Sequence, residues 1–386
     1  MPSSAQPVGA RRSAALDGLR AIAALTVFVF HAWLYTRSTV DASAARDLSL
    51  GDQIAAQLRI GLVLFFVLSG FLLFRPWVAA RLGSGSAPRT RTYVVHRVAR
   101  IVPAYWLAIA GSVALLWPLA GEPGVRLPPA GSLPLFFIFG QNYSPETIMR
   151  LDPPMWTLGV EAAFYALLPL LGWAALRAGR TRGRQAIVPV LALALGMAFN
   201  VWLAQRAPSI ILGKSLPAML PYFAIGMLAA VLVYGRAPGR VASLLLGFGG
   251  LGLVVLDGWL HARAAPGSGL AQLLKSLRDT PAAIGCAGIV AVAVTRPPRA
   301  LAARPLAVAG LVSYGLYLWH VPLLLWLRSM GLLPMHTWGA TLVALPLSLL
   351  AAALSWLLVE RAMISWSRRT TVLGANRRSD TSVPPV

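Results

Sequence analysis

The sequence predicts an all-α, polytopic membrane protein of about ten transmembrane helices, and three observations carry that prediction. Of its 386 residues 57% are hydrophobic and only 12% charged, a balance too apolar for a water-soluble chain of this size. The apolar residues gather in windows of roughly twenty, the length that crosses a bilayer. The net charge of +22 is crowded into the short gaps between those windows. Nucleic-acid-binding proteins carry such charge on polar surfaces, so that class is excluded and no nucleic-acid partner is expected. The lone Cys286 leaves no disulfide framework and no thiolate metal cluster.

In chain order, the apolar windows fall at 16–36, 54–74, 101–119, 156–177, 186–204, 216–234, 242–261, 280–295, 306–328 and 338–360. Arginines concentrate in alternate connections. Arg75 to Arg100 follow the second window and Arg177 to Arg184 the fourth. Arg236 and Arg240 follow the sixth, Arg296 to Arg304 the eighth, and Arg361 to Arg378 the tenth. The positive-inside rule makes these segments cytoplasmic, with both termini on that side of a cell membrane crossed many times. The first window continues as a full-length span, so no cleavable leader is expected. The exterior stretch 120–155 contains an apolar piece, Leu133–Phe139, suited to a re-entrant segment. Residues 1–369 form one membrane domain, and 370–386 read as a polar cytoplasmic tail without fixed structure.

Ionisable residues inside these windows are functional candidates by default. In Leu16-Asp-Gly-Leu-Arg-Ala-Ile-Ala-Ala-Leu-Thr-Val-Phe-Val-Phe-His31, Arg20 and His31 are eleven positions apart. They therefore share a helix face, separated by roughly 16 Å along the axis. His31 lies roughly 7 Å in from the outer end of its helix. Glu161 lies a similar distance in from the outer end of the fourth window, and the two are expected to share a level. A carboxylate beside an imidazole makes a general base for a hydroxyl proton. A buried pair that merely satisfies itself between helices fits the spacing equally well.

Arg20 instead falls at the level of Arg97 and Arg100, which project three residues apart from one face. Guanidiniums so placed suit phosphate groups; flanking charge or lipid-headgroup contact is the plainer alternative. In the ninth window, Ser313, Tyr314, Tyr317 and His320 lie too deep for an interfacial belt and are expected to wall a polar cavity with Trp156. Asp257 reads as structural, and His96, His261 and His336 fall at helix ends or in loops. No grouping shows metal-ligand spacing along the chain, so no metal and no permanently bound cofactor are expected.

Together these segments resemble the membrane-bound acyltransferase family 3, whose members acylate sugars, glycans and natural products. The opening Leu-Asp-Gly-Leu-Arg and the Arg20 to His31 spacing are similar to the family's first motif, and Phe65-Phe-Val-Leu-Ser-Gly-Phe-Leu72 to its second-helix signature. Arg97 and Arg100 with Pro103, Trp156 to Tyr165, and Ser313 to His320 resemble three more, in family order. Thr157 stands where the family usually has Ser, and Glu360-Arg361 lacks the Pro that commonly follows.

The resemblance implies transfer of a short acyl group, acetyl first, from acyl-CoA as co-substrate to a hydroxyl. Arg20, Arg97 and Arg100 would meet the phosphates and the pantetheine arm would run up the first helix. His31 would be the base oriented by Glu161, with a tyrosine such as Tyr317 donating to the oxyanion. The acceptor is left open between a cell-surface glycan and a natural product such as a macrolide. The same polar stripe also suits a transporter of a glycan intermediate or acyl group, although the two halves show no repeat.

Overall fold

A computed structural model describes residues 8–37, 49–83 and 85–380. Every regular element among the described residues is helical, matching the all-α prediction. The chain opens with α1 (Val8–Tyr35), the short α2 (Leu50–Gln57), α3 (Gly61–Leu82), α4 (Thr90–Leu116) and the single turn α5 (Pro134–Phe137). Next come α6 (Trp156–Ala178), α7 (Arg182–Ala204), the short α8 (Ile210–Gly213) and α9 (Leu216–Val233). A π-helical turn joins α10 (Arg240–Leu244) to α11 (Gly250–Arg263), followed by α12 (Gly269–Leu277) and α13 (Thr280–Thr295). The last elements are α14 (Arg304–Leu311), α15 (Ser313–Ser329), α16 (Thr337–Ser355) and α17 (Arg361–Asp380), with a second π-helical turn, Trp356–Glu360, before α17.

Among the described residues, eight helical spans are long and apolar enough to cross a membrane, or up to ten if each of two bent pairs is one span. The bent pairs are α12 with α13, at 47°, and α14 with α15, at 69°. The second lies within one predicted window, 306–328. It breaks at Val312, where the Ser313 hydroxyl turns back to donate to the Gly310 carbonyl at 2.8 Å. Leu195, Phe248, Leu342 and Leu358 are each at least 69% exposed, a distribution for hydrocarbon rather than water.

Small residues let the helices approach. Gly70 of α3 lies against the Phe223 backbone of α9, and Gly226 of α9 against the Val67 backbone of α3. A side chain at either would push the pair apart. Around this contact, Phe164, Phe66 and Phe223 stack at centroid separations of 4.0 and 4.7 Å from the Phe223 ring. α1 runs against α3, α13, α14, α15 and α16, so its polar residues face other helices rather than lipid.

The 120–155 connection dips into the bundle. Phe136 is fully buried, Phe139 stacks on Tyr105 at 4.4 Å, and Gln141, Asn142, Thr147 and Asp152 are buried. Three non-glycine residues there, Phe139, Met149 and Leu151, take positive φ near 60°, so packing holds the backbone in a conformation it would otherwise avoid. At the far end, α17 continues helically to Asp380, taking in most of the tail expected to lack structure, and 381–386 lie outside the described residues.

Candidate active site: two cavities and a shared wall

The predicted site residues divide between two cavities, except His320, which lines neither, so the single polar cavity expected from Ser313, Tyr314, Tyr317, His320 and Trp156 is not what the fold builds. The larger, of about 640 Å³, is lined by His31, Trp156, Thr157 and Tyr317. The smaller, of about 110 Å³, is lined by Arg20, Arg97, Arg100, Glu161, Ser313, Tyr314 and Tyr317. Leu62, Thr157 and Tyr317 border both. Thr157 Oγ1 and the Tyr317 hydroxyl lie 2.7 Å apart, and each also reaches the Pro154 carbonyl at 3.0 Å. These hydroxyls, with Leu62, form a wall common to both cavities.

In the small cavity, Arg20 is paired with Asp17 at 2.7 Å on its own helix. Arg97 and Arg100 have no ion pair among the described residues, and Arg97 Nε is buried without a hydrogen bond. Three guanidiniums around so small a space are a donor set suited to an anion, with the Glu161 carboxylate on the same lining. The Ser313 hydroxyl donates back across the bend to the Gly310 carbonyl of α14, and Tyr314 donates to the Ile101 carbonyl at 3.0 Å, so Tyr314 bridges α15 to α4.

Glu161 does not meet His31. Its carboxylate accepts from Ser69 Oγ at 3.0 Å and from the Tyr165 hydroxyl at 2.8 Å, within the arginine cavity. The expected His31–Glu161 pair is therefore corrected. The expectation placed the start of α6 at the membrane surface, whereas the buried 120–155 connection sits over that end of the helix. His31 consequently shares its cavity with Thr157, and Glu161, one helical turn further along α6, lines the arginine cavity.

The partner of His31 is His320. Their rings lie 4.9 Å apart, with His320 Nε2 at 3.1 Å from His31 Nδ1. His320 Nδ1 is 2.8 Å from the Tyr317 carbonyl, and His31 Nδ1 is 2.9 Å from the Val27 carbonyl. A carbonyl only accepts, so both Nδ1 atoms carry hydrogen, and the single hydrogen on His31 Nδ1 is shared between the Val27 carbonyl and His320 Nε2. The lone pair of His31 is thereby assigned to Nε2, which has no protein partner among the described residues. An i to i−4 carbonyl and an imidazole thus do the orienting work expected of a carboxylate.

Several residues around these cavities carried no mark in the sequence reading. Arg37, Arg59, Arg126, Lys214, Arg278 and Arg328 all line the histidine cavity. Arg59 pairs with Asp279 at 2.6 Å, Arg37 pairs with Asp52, and the Lys214 ammonium stands 4.0 Å over the Trp156 ring. Their available signal was that each sits in a connection or helix end predicted to be exterior, where basic residues are scarce. Behind Arg59, the ligand atoms of Asp257, His261 and Asp279 lie within 4.8 Å of one another. Asp257 and His261 are one helical turn apart on α11, a spacing the sequence reading passed over, and Asp279 joins them only through the fold. Glu360, on the π-helical turn, bonds to Ser355 at 3.3 Å and feels the charge of Arg100.

A helical bundle with imidazoles and guanidiniums around two cavities is the arrangement of an integral membrane protein suited to chemistry on a polar substrate. The chain belongs to the acyltransferase-3 family, whose model, described as an acyltransferase domain, matches residues 13–360. It is 28% identical over 333 residues to the exopolysaccharide production protein ExoZ of Rhizobium meliloti (strain 1021), covering 83% of this chain and 94% of that protein. No solved structure matches it significantly. The protein is thus a membrane-embedded acyltransferase, acting between an acyl donor and a hydroxyl-bearing acceptor, and not a transporter without catalysis.

Proposed function

We propose that this protein transfers a short acyl group, acetyl first, from acyl-CoA to a hydroxyl of a polysaccharide or its precursor. The observation that carries the reading is His31: its Nε2 has no protein partner among the described residues, it lines the larger cavity, and Thr157 and Tyr317, with Leu62, line both that cavity and the arginine cavity. The acyl-CoA phosphates meet Arg97, Arg100 and Arg20 on the cytoplasmic side, where both termini lie. The thioester is presented at the wall, and the acceptor enters the histidine cavity.

His31 Nε2 takes the proton from the acceptor hydroxyl as its oxygen bonds to the thioester carbonyl carbon. Collapse of the tetrahedral intermediate breaks the C–S bond, and the thiolate leaves with the proton returned from His31. His320 accepts the Nδ1–H bond that orients the ring. A hydroxyl at the wall, Tyr317 or Thr157, donates to the oxyanion. The name of the ExoZ relative supports a glycan over a natural product as acceptor.

The test is acyl transfer by purified protein in detergent, read as free thiol released from acetyl-CoA and as O-acetyl groups on exopolysaccharide fragments. His31→Ala is expected to lose about 1000-fold in transfer while retaining coenzyme A binding. A variant that transfers at the wild-type rate removes His31 from the chemistry.

A further inference from the structure

The charge around the histidine cavity is one-sided. Six cationic side chains, Arg37, Arg59, Arg126, Lys214, Arg278 and Arg328, share its lining with a single carboxylate, Asp279. Ion pairs account for two of them, Arg37 with Asp52 and Arg59 with Asp279. The other four have no carboxylate partner among the described residues. Arg328 instead donates to the Tyr35 carbonyl at 2.7 Å, Arg278 to the Gly213 carbonyl at 3.0 Å, and Lys214 lies over Trp156. Asp152, buried nearby, is not part of the lining, and burial pushes its carboxyl up from the usual carboxylate range.

Two ordinary explanations for such clustering do not fit. Topology-setting arginines belong in the connections where the sequence concentrates them, and these six lie in the others. Lipid-headgroup contacts point outward, whereas these side chains enclose the space that His31 faces. Four like charges around a cavity partly withdrawn from water repel one another unless an anion joins them. The walls also carry Phe30, Tyr35 and Trp156, flat apolar faces on which a sugar ring can rest.

We infer that the acceptor is acidic: a glycan or glycan precursor bearing carboxylate or phosphate groups, held by Arg126, Lys214, Arg278 and Arg328 with a hydroxyl presented to His31. This rests on the acyl-transfer reading for the role of His31, but the binding preference itself does not require turnover.

Binding to the purified full-length protein in detergent separates the possibilities, using four probes: trigalacturonate, glucose 1-phosphate, neutral maltotriose and coenzyme A. At low salt, at least one acidic sugar is expected to bind about tenfold or more tighter than maltotriose, with the difference shrinking as salt rises. A carboxylate preference points to uronate residues, and a phosphate preference to a phosphorylated carrier or precursor. Arg126→Gln and Lys214→Gln are each expected to weaken the acidic sugar about fivefold while leaving coenzyme A binding and the thermal unfolding midpoint unchanged. Arg126 is exposed with no side-chain partner among the described residues, so its removal leaves the fold intact. Equal affinity for acidic and neutral sugars overturns the inference. So does a loss confined to coenzyme A in these variants, which would give the cavity to the donor's phosphates. Either result leaves the His31 turnover test standing, and a failure of that test leaves the charge preference standing.

Discussion

Thr157 Oγ1 and the Tyr317 hydroxyl lie 2.7 Å apart and face two cavities at once, one lined by arginines and the other by His31. Two hydroxyl protons serve three short contacts, since both groups also reach the Pro154 carbonyl. Only two of the three contacts can carry a hydrogen at once, and one hydroxyl can swing toward a substrate oxygen while the other still donates to the carbonyl.

That sharing makes the wall sensitive to loss of either hydroxyl. Tyr317→Phe is expected to lower kcat about 100-fold with the KM for acyl-CoA held, as for removal of one oxyanion donor. Thr157→Ser keeps its hydroxyl and the wild-type rate, whereas Thr157→Val follows Tyr317→Phe. Steady-state kinetics with acetyl-CoA read both, and a Tyr317→Phe enzyme of undiminished kcat excludes the hydroxyl from the chemistry.

In the proposed mechanism His320 acts through His31 as a positioning residue. Because the Val27 carbonyl still holds the Nδ1 hydrogen in its absence, His320→Ala is expected to cost about tenfold in kcat, far less than His31→Ala. His320→Gln, which restores an acceptor near His31 Nδ1, is expected to recover part of the loss and to return the kcat–pH profile toward wild type. A His320→Ala defect as deep as that of His31→Ala would make His320 itself a carrier of the proton.

The arginine cavity predicts a split in kinetic constants. Arg97→Ala and Arg100→Ala are each expected to raise the KM for acyl-CoA about tenfold with kcat nearly constant, because a charge-assisted contact to phosphate is made in ground and transition states alike. Arg97→Lys recovers only part, since an ammonium lacks the planar fork. Direct binding of coenzyme A gives the same ranking without an acceptor present.

Arg59 and Asp279 are coupled across 2.6 Å between the start of α3 and the start of α13. Asp279→Asn leaves the guanidinium without its counter-charge and is expected to destabilise by about 2 kcal/mol, scaled down for the partial exposure of Arg59. The double variant Arg59→Gln with Asp279→Asn recovers part of that loss, a coupling that thermal unfolding in detergent measures. Strict additivity would show that the pair does not hold the two helices together.

Much of the scaffold was legible because membrane spans announce themselves by length and apolarity, and α1, α6, α7 and α9 fall within a few residues of their windows. The convergence of Arg20, Arg97 and Arg100 was legible too, since all three are measured from unbroken helices. The placement of Glu161 was not. Its depth was counted from a helix start taken to be at the surface, and nothing local marks a connection as buried. Tyr105 stacking on Phe139 and the 142–156 contacts that fold it inward are long-range. The His31–His320 pair was hidden for the same reason, although both residues were marked singly. The six cavity cations were visible only as exceptions to a charge rule, and an exception carries weight only once the cavity they share is seen.

The span of sequence bridged by these contacts also dictates when the site comes into being during synthesis. His320 lies 289 residues beyond His31, and Tyr317 lies 160 beyond Thr157. When the ribosome has delivered α1 to α13, the arginines, Glu161 and His31 are all in the bilayer, yet neither the imidazole pair nor the wall exists. Both await α15, which the 69° bend at Val312 turns into the bundle. A nascent chain therefore lacks the imidazole pair, the wall and the Ser313, Tyr314 and Tyr317 side of the arginine cavity until nearly all of its helices have been inserted, and any truncation before α15 leaves both cavities incomplete.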